Sequence, residues 1–154
     1  MRSINQLCYD GLAVLSSVVV MKILVTGGAG YIGSHVVRRL LEASFDVVVF
    51  DDLSTGFRSF LPDEVVLVEG NLLETGLVES TLREHAIVLV IHIAGFKFPG
   101  ISVEKPLHAY EQNVTAMISL LAAMRIVGVN RIVFSSSSSV YGNAASGLVD
   151  ESHP

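Results

Sequence analysis

Residues 22–35, with the sequence KILVTGGAGYIGSH, decide the fold. An apolar run of strand length leads into three glycines spaced Gly-x-x-Gly-x-x-Gly, which are Gly27, Gly30 and Gly33. The apolar residues that follow, in VVRRLL at 36–41, have helical spacing. A strand that enters a glycine turn and then a helix presents free N–H groups of the helix start at the edge of the sheet. These groups and the helix dipole attract a pyrophosphate.

Each glycine has a distinct predicted purpose. Gly27 permits a sharp turn, Gly30 lets phosphates approach the backbone, and Gly33 lets the helix lie close on the strand. A glycine triplet alone is a weak signal, so the prediction depends on the strand before it, the helix after it and an acidic residue further along.

Asp51 supplies that acid, since it directly follows a second predicted buried strand at 47–50. It lies about 20 residues beyond the glycine turn, where a carboxylate can accept hydrogen bonds from an adenosine ribose. A carboxylate there repels a 2′-phosphate, and no Arg immediately follows, so the sequence favours NAD over NADP. The alternative interpretation is a helix N-cap or an acidic loop residue, but the combined motif favours a bound dinucleotide.

The composition is typical of one α/β domain. Of 154 residues, 51% are hydrophobic and only 16% are charged, which suits a parallel sheet covered on both faces. The net charge of -5 and the absence of a basic cluster argue against nucleic acid and against a membrane surface as partners. Cys8 is the single cysteine, so no internal disulfide can form, which is consistent with a reducing compartment.

Residues 1–20 do not share the pattern of the rest. Their apolar runs, LAVL at 12–15 and VVV at 18–20, are too short to span a membrane, and their flanks lack the positive charge of a signal peptide. We therefore expect an N-terminal extension outside the domain, with the domain itself formed by residues 21–154.

From Met21 onward, predicted strands alternate with helical patterns. The strands are predicted at 23–26, 47–50, 65–68, 87–93 and 131–134, and the helices at 32–43, at 74–85 and from Pro106 to a stop at Gly128. This alternation predicts an α/β fold, namely a Rossmann-type doubly wound parallel sheet in a three-layer αβα arrangement.

Ligands of such sheets bind beyond the carboxyl ends of the strands, so five loops that begin near Gly27, Asp51, Asn71, Ala94 and Ser135 are candidate site loops. His92 lies inside an apolar strand and is interpreted as a core histidine with a hydrogen-bond partner. Lys97 is either a ligand of a phosphate or ribose or a solvated loop lysine. The five serines at 135–139 are either a flexible tract or, as we favour, a loop that curls over the strand end.

Together these segments resemble the extended short-chain dehydrogenase/reductases, and within them the NAD-dependent epimerase/dehydratase family. The segments that carry the resemblance are VTGGAGYIGSH at 25–35, DDL at 51–53, VIHIAGFK at 90–97, SVEKPL at 102–107, NV at 113–114, FSSS at 134–137 and VYG at 140–142. The resemblance covers the chain from Met21 to its last residue.

The resemblance implies NAD as the cofactor, a UDP-sugar as the substrate and a cytoplasmic homodimer. The implied reaction is the interconversion of UDP-glucose and UDP-galactose by transient oxidation at the sugar C4. The family's catalytic Tyr-x-x-x-Lys and its sugar-binding domain lie beyond the resemblance, so we expect a cofactor-binding half that is inactive alone and whose own dimerisation is doubtful. The alternatives are another nucleotide-sugar epimerase or 4,6-dehydratase, and a non-catalytic NAD-binding module.

The resemblance also assigns individual residues. Ser137 is the implied catalytic and substrate-binding residue, near the sugar 4-hydroxyl, and no metal is implied. The implied cofactor-binding residues are Gly27, Gly30, Tyr31, Ile32 and Gly33 at the glycine turn, Asp51, Asp52, Leu53, Ser54, Thr55 and Gly56 around the adenosine ribose, Asn71 and Leu72 beside the adenine, Ile93, Ala94, Gly95, Phe96 and Lys97 on the ribose and nicotinamide side, and Gln112. Two of these depart from the family pattern, because the family commonly has Asp at the position of Asn71 and Asn at the position of Gln112.

Overall fold

Five parallel strands form the centre of the structure. The computed structural model describes residues 21–142 and 149–150, so the expected extension at residues 1–20 lies outside the described residues. The strands are β1 (Lys22–Thr26), β2 (Asp46–Asp51), β3 (Val66–Glu69), β4 (Ile87–His92) and β5 (Ile132–Phe134). The helices are α1 (Tyr31–Glu42), α2 (Thr75–Glu84), α3 (Pro99–Glu104), α4 (Pro106–Tyr110) and α5 (Ala116–Val127).

The strand order explains where a ligand can enter. The sheet runs β3-β2-β1-β4-β5, and every neighbouring pair is parallel. From β1 the chain proceeds through β2 to β3 on one side, and then crosses to β4 and β5 on the other side. This reversal leaves a crevice beyond the carboxyl ends of β1 and β4, which is where doubly wound sheets bind ligands. The predicted fold class is confirmed.

The alternation of side chains along the strands divides the core into two layers. Ile23 packs on the face that α1 covers, with Val37 of that helix. Leu24, the next residue of β1, packs on the opposite face with Val78 of α2 and Leu120 of α5. All five residues are at most 1% exposed. The structure is therefore the predicted sandwich of helix, sheet and helix, since strands buried on both faces need cover from both sides.

The predicted elements agree with the structure to within one or two residues, except around Pro106. The predicted helix from Pro106 to Gly128 is confirmed in its extent, but it is not regular throughout: α4 passes into a π-helical turn, Glu111–Thr115, from which α5 continues. The short helix α3 was not predicted. Gly128 ends α5 in the left-handed conformation, with φ of 88°, as expected of a glycine that ends a helix.

No helix in the described ranges has the length and apolar character needed to cross a bilayer.

Candidate dinucleotide-binding site

The glycine turn joins β1 to α1 at the crevice. Gly27 has φ of 70°, in the left-handed region, and a Cβ there would lie 2.6 Å from the nitrogen of Ala94. Its own N–H donates to the carbonyl of Phe50 at 2.9 Å. The turn is thus tied to the end of β2 on one side and lies against the loop after β4 on the other, and a side chain at Gly27 would prevent this contact.

The start of α1 is open toward the crevice. Gly30 is the N-cap, no side chain caps the helix, and its first turn contains no acidic residue. The first amide that bonds within the helix is that of Ser34, which donates to the carbonyl of Gly30 at 2.9 Å. The amides of Tyr31, Ile32 and Gly33 therefore have no acceptor within the helix, and no acidic side chain of the first turn offsets the positive end of the helix dipole.

The other glycines of the motif keep backbone atoms close together. A Cβ on Gly30 would meet only the Gly27 carbonyl oxygen, at 3.3 Å. A Cβ on Gly33 would overlap that same oxygen and lie 2.7 Å from the Cα of Gly28. The helix thus lies against the turn that ends β1. Its first two side chains, Tyr31 and Ile32, are 72% and 58% exposed.

Asp51 is the last residue of β2 and fastens two segments of the site. One carboxylate oxygen accepts from the amide of Ala29 and the other from the amide of Leu53, each at 2.9 Å. Burial raises the pKa of this carboxyl group, against the two backbone hydrogen bonds, which lower it; the neighbouring charge of Asp52 raises it further. Each oxygen retains a second lone pair, with which it can accept a hydrogen bond from a ribose hydroxyl.

The loop after β2 folds back over the glycine turn. Phe57 donates its N–H to the Ala29 carbonyl at 3.0 Å, and Gly56 approaches Ala29 so closely that a Cβ would lie 2.9 Å from its carbonyl carbon. Ser54 and Thr55 are exposed on this loop.

The loop after β3 lies next to the loop after β2. The side-chain amide of Asn71 donates to Asp52 at 3.0 Å and to Gln112 at 3.1 Å. Leu72, by contrast, is 7% exposed and packs in the core between the sheet, α2 and α5. Its backbone is therefore the part that can border a ligand.

The loop after β4 is held from two sides. The amides of Ile93 and Ala94 both donate to the Thr26 carbonyl at 3.1 Å. From the other side, the side chain of Asn113 accepts from the Phe96 N–H at 2.8 Å and donates to the Phe96 carbonyl at 3.0 Å. Sequence reasoning gave Asn113 no role. Its available signals were its place beside Gln112 and the NV segment at 113–114, which carries part of the family resemblance.

The remaining residues of this loop are close to Asn113 or exposed to solvent. A Cβ on Gly95 would lie 3.3 Å from the Asn113 side-chain oxygen, and Lys97 is exposed. Lys97 follows Phe96 directly. The two hydrogen bonds between Asn113 and the Phe96 backbone therefore also fix the position of the Lys97 backbone.

His92 is a core residue, as the sequence predicted. It is 4% exposed, its Nδ1 lies 2.7 Å from the hydroxyl oxygen of Thr26, and its ring stacks on Phe134. Burial lowers the pKa of the imidazole, so the neutral form is favoured.

The serine segment continues from β5 at the same edge of the sheet. Ser135 donates its N–H to the His92 carbonyl at 3.2 Å. Ser137 is exposed, and its hydroxyl oxygen accepts from the amide of Ser139 at the start of the 3-10 turn Ser138–Tyr141. The segment therefore continues from the edge of the sheet into a defined turn.

Within residues 21–142 and 149–150, no group of three or more His, Cys, Asp or Glu side chains is arranged to hold a metal ion.

Comparison with known proteins now adds to this geometry. The sequence model of the NAD dependent epimerase/dehydratase family matches residues 23–154. The chain belongs to this family. A UDP-glucose 4-epimerase of Klebsiella pneumoniae is 45% identical over an alignment of 130 residues, which covers 80% of this chain and 94% of that sequence. A UDP-glucose 4-epimerase of Homo sapiens is 43% identical over an alignment of 146 residues, which covers 86% of this chain and 42% of that protein.

Members of the family with solved structures have the same fold. A UDP-glucose 4-epimerase of Thermus thermophilus in complex with NAD superposes with a TM-score of 0.80 at 38% identity, over 87% of this chain and 44% of that chain. The enzyme of Bifidobacterium longum, in complex with NAD+ and UDP, superposes with a TM-score of 0.79 at 33% identity, over 87% of this chain and 42% of that chain. The chain thus spans less than half the length of these two structures.

Proposed function

We propose that the chain binds NAD across the carboxyl ends of the strands, with the pyrophosphate on the start of α1. The observation that carries this proposal is the uncapped first turn of α1 behind the glycine turn, at the point where the strand order reverses. Three backbone amides without an acceptor in the helix and the positive end of the helix dipole attract an anion there, and Gly30 leaves the approach free of a side chain. Structures of relatives with bound NAD support the choice of ligand.

The surrounding loops fit the two ends of such a ligand. Asp51 and Asn71 lie at the ends of the strands on one side of β1, where they would receive the adenosine. The loop of residues 93–97 lies on the other side of the turn, where it would line the second ribose and the nicotinamide. The two halves of the ligand would then occupy opposite sides of the crevice, as is general for doubly wound sheets.

We further propose that the chain is the cofactor-binding part of an enzyme that interconverts UDP-glucose and UDP-galactose. Bound NAD supplies the hydride acceptor and donor for oxidation and reduction at the sugar C4. Ser137, exposed beyond the end of β5, would donate a hydrogen bond to the sugar 4-oxygen and orient the hydroxyl group. Support comes from the UDP-glucose 4-epimerases among the relatives.

The chain by itself is expected not to catalyse this interconversion, since none of its four tyrosines has a lysine four residues later, as the family's catalytic Tyr-x-x-x-Lys requires. The whole enzyme is proposed to be a homodimer. Exposed apolar side chains on α5, at Ile118, Leu121 and Ile126, are the surface that such pairing would cover.

Isothermal titration calorimetry of the chain with NAD and with NADP tests the binding proposal. We expect NAD to bind at least about tenfold more tightly, because the carboxylates of Asp51 and Asp52 repel a 2′-phosphate. Asp51→Asn removes one negative charge and should bring the Kd for NADP closer to the Kd for NAD. Asp46→Asn removes the same charge from the opposite end of β2, where Asp46 pairs with Lys22, and should leave the ratio unchanged. Equal affinity of the unaltered chain for the two nucleotides would contradict the role of Asp51.

A further inference from the structure

The side chain of Asn71 joins three segments of the candidate site. Its Nδ2 donates one hydrogen bond to Asp52 Oδ2 at 3.0 Å and another to Gln112 Oε1 at 3.1 Å. Its Oδ1 accepts from the amide of Leu73 at 3.0 Å, which holds the amide plane in place. Both N–H groups are therefore used, one toward the loop after β2 and one toward the π-helical turn. The two positions that depart from the family pattern, 71 and 112, are in direct contact.

Only a neutral group with two donors satisfies this arrangement. Asp52 presents a carboxylate, and its second oxygen already accepts from the amide of Ser54 at 3.0 Å. A carboxylate at position 71 would offer no hydrogen to Asp52 and would place two negative charges about 3 Å apart, which disfavours the ionised form of both groups. The amide of Asn71 is thus matched to the charge of Asp52.

The π-helical turn explains how one element reaches two loops. Gln112 accepts a hydrogen bond from Asn71 in the loop after β3. Its neighbour Asn113 forms hydrogen bonds with both the N–H and the carbonyl of Phe96 in the loop after β4. The turn interrupts the regular helix at these residues, and two successive polar side chains fasten the loops proposed to hold the two ends of the ligand.

We infer that Asn71 is a positioning residue for the adenosine end of the site, which it organises by bridging Asp52 and Gln112. This inference rests on the proposed binding of NAD and deepens it. Asn71 holds the loop after β2 against the loop after β3, so that the wall facing the adenosine is formed before the ligand arrives. Preorganisation of this kind raises affinity because less ordering is left for the binding step.

Calorimetry with NAD and with ADP, which contains only the adenosine and the pyrophosphate, tests the inference. Asn71→Asp keeps the shape and removes both donors, so Kd for both ligands should rise about tenfold or more near pH 7.5. Asn113→Asp is the matched control, because it makes the same change in the π-helical turn, where the side chain holds the loop after β4. It should weaken NAD while leaving ADP close to its affinity for the unaltered chain.

The pH profile separates a bridge from a merely structural effect. Protonation of the introduced carboxyl group in the Asn71→Asp variant restores a donor and removes the repulsion. The ratio of its Kd for NAD to that of the unaltered chain should therefore fall as the pH is lowered from about 7.5 to about 4.5, where an aspartate carboxyl group begins to bind its proton. Asn71→Ser removes the bridge without adding a charge, and should weaken both ligands by a ratio that does not change with pH.

The inference is overturned if Asn71→Ser binds both ligands like the unaltered chain, or if the Asn71→Asp ratio is constant with pH. The serine variant also serves if the aspartate variant does not fold. Failure of the unaltered chain to bind NAD would be a different result, since it would refute the proposed function itself.

Discussion

His92 ends β4 inside the protein, beside the edge that carries the candidate site. The imidazole is 4% exposed and lies between the Thr26 hydroxyl and the ring of Phe134. None of the described contacts of the ring is with a carboxylate. Burial lowers the pKa of the imidazole below its ordinary value of 6.5. Protonation of His92 is therefore more costly in the folded chain than in the unfolded one.

Protonation of His92 should therefore make the stability of the fold depend on pH. As the pH falls below about 6.5, the unfolded chain binds the proton first, so the stability associated with neutral His92 is present above that pH and is lost below it. The free energy of unfolding of the unaltered chain should fall more steeply between about pH 7 and about pH 5 than that of His92→Asn. Urea denaturation followed by circular dichroism measures both, and parallel pH profiles would show that His92 does not resist protonation.

Single residues show what a sequence can indicate about the site and what it cannot. The position of Asp51 after a buried run placed its carboxylate at the correct edge of the sheet. Its two backbone partners, Ala29 and Leu53, depend on how the turn and the loop fold over each other, which no local pattern reports. Asn71 and Gln112 lie 41 residues apart and meet only through the tertiary fold. The sequence therefore treats them as two separate departures, whereas the structure shows one contact.

Among the elements, α1 and α2 contain helical glycines in opposite environments. Gly33 of α1 faces the glycine turn, where a Cβ would overlap the Gly27 carbonyl oxygen. Gly76 of α2 has nothing within 4 Å of the position of a Cβ. Both glycines lie within the first turns of their helices, so the gain in helix propensity from alanine is comparable at the two sites.

Alanine substitutions at the two glycines should have opposite effects. Gly76→Ala should leave stability unchanged or raise it by up to about 1 kcal/mol, because alanine restricts the unfolded chain. Gly33→Ala should lower stability by about 1–3 kcal/mol, because backbone atoms must move to admit the methyl group. It should also weaken NAD binding, since α1 is displaced from the turn. Thermal and urea unfolding check both values, and equal effects of the two substitutions would contradict close packing of α1 on the turn.

The elements were predictable to the extent that their sequences are periodic. Apolar runs marked all five strands, and Gly128 marked the end of α5 by its need for a left-handed conformation. The π-helical turn Glu111–Thr115 was not predictable, because it inserts extra backbone into a helix without changing the residue types that favour a helix. This turn carries both Gln112 and Asn113, so the missed element is also where the contacts between loops were missed.

For the whole molecule, strand order and strand direction determine the site. Alternation of strands and helices predicted a parallel sheet, and the order β3-β2-β1-β4-β5 places the glycine turn at the reversal. The carboxyl ends of the strands gather Asp51, Asn71, Ala94 and Ser135 at one edge. The amino ends, where Lys22 pairs with Asp46, lie at the opposite edge of the same sheet.

This polarity permits one decisive measurement, a titration of the ¹⁵N-labelled chain with NAD followed by two-dimensional NMR. The amides of Tyr31, Ile32 and Gly33 and those of residues 93–97 should show the largest chemical-shift changes. The amides of Lys22 and Asp46, at the amino ends of β1 and β2, should keep their chemical shifts and serve as the internal control. No change at the start of α1 under saturating NAD, or changes centred on the amino ends of the strands, would contradict the proposed binding site.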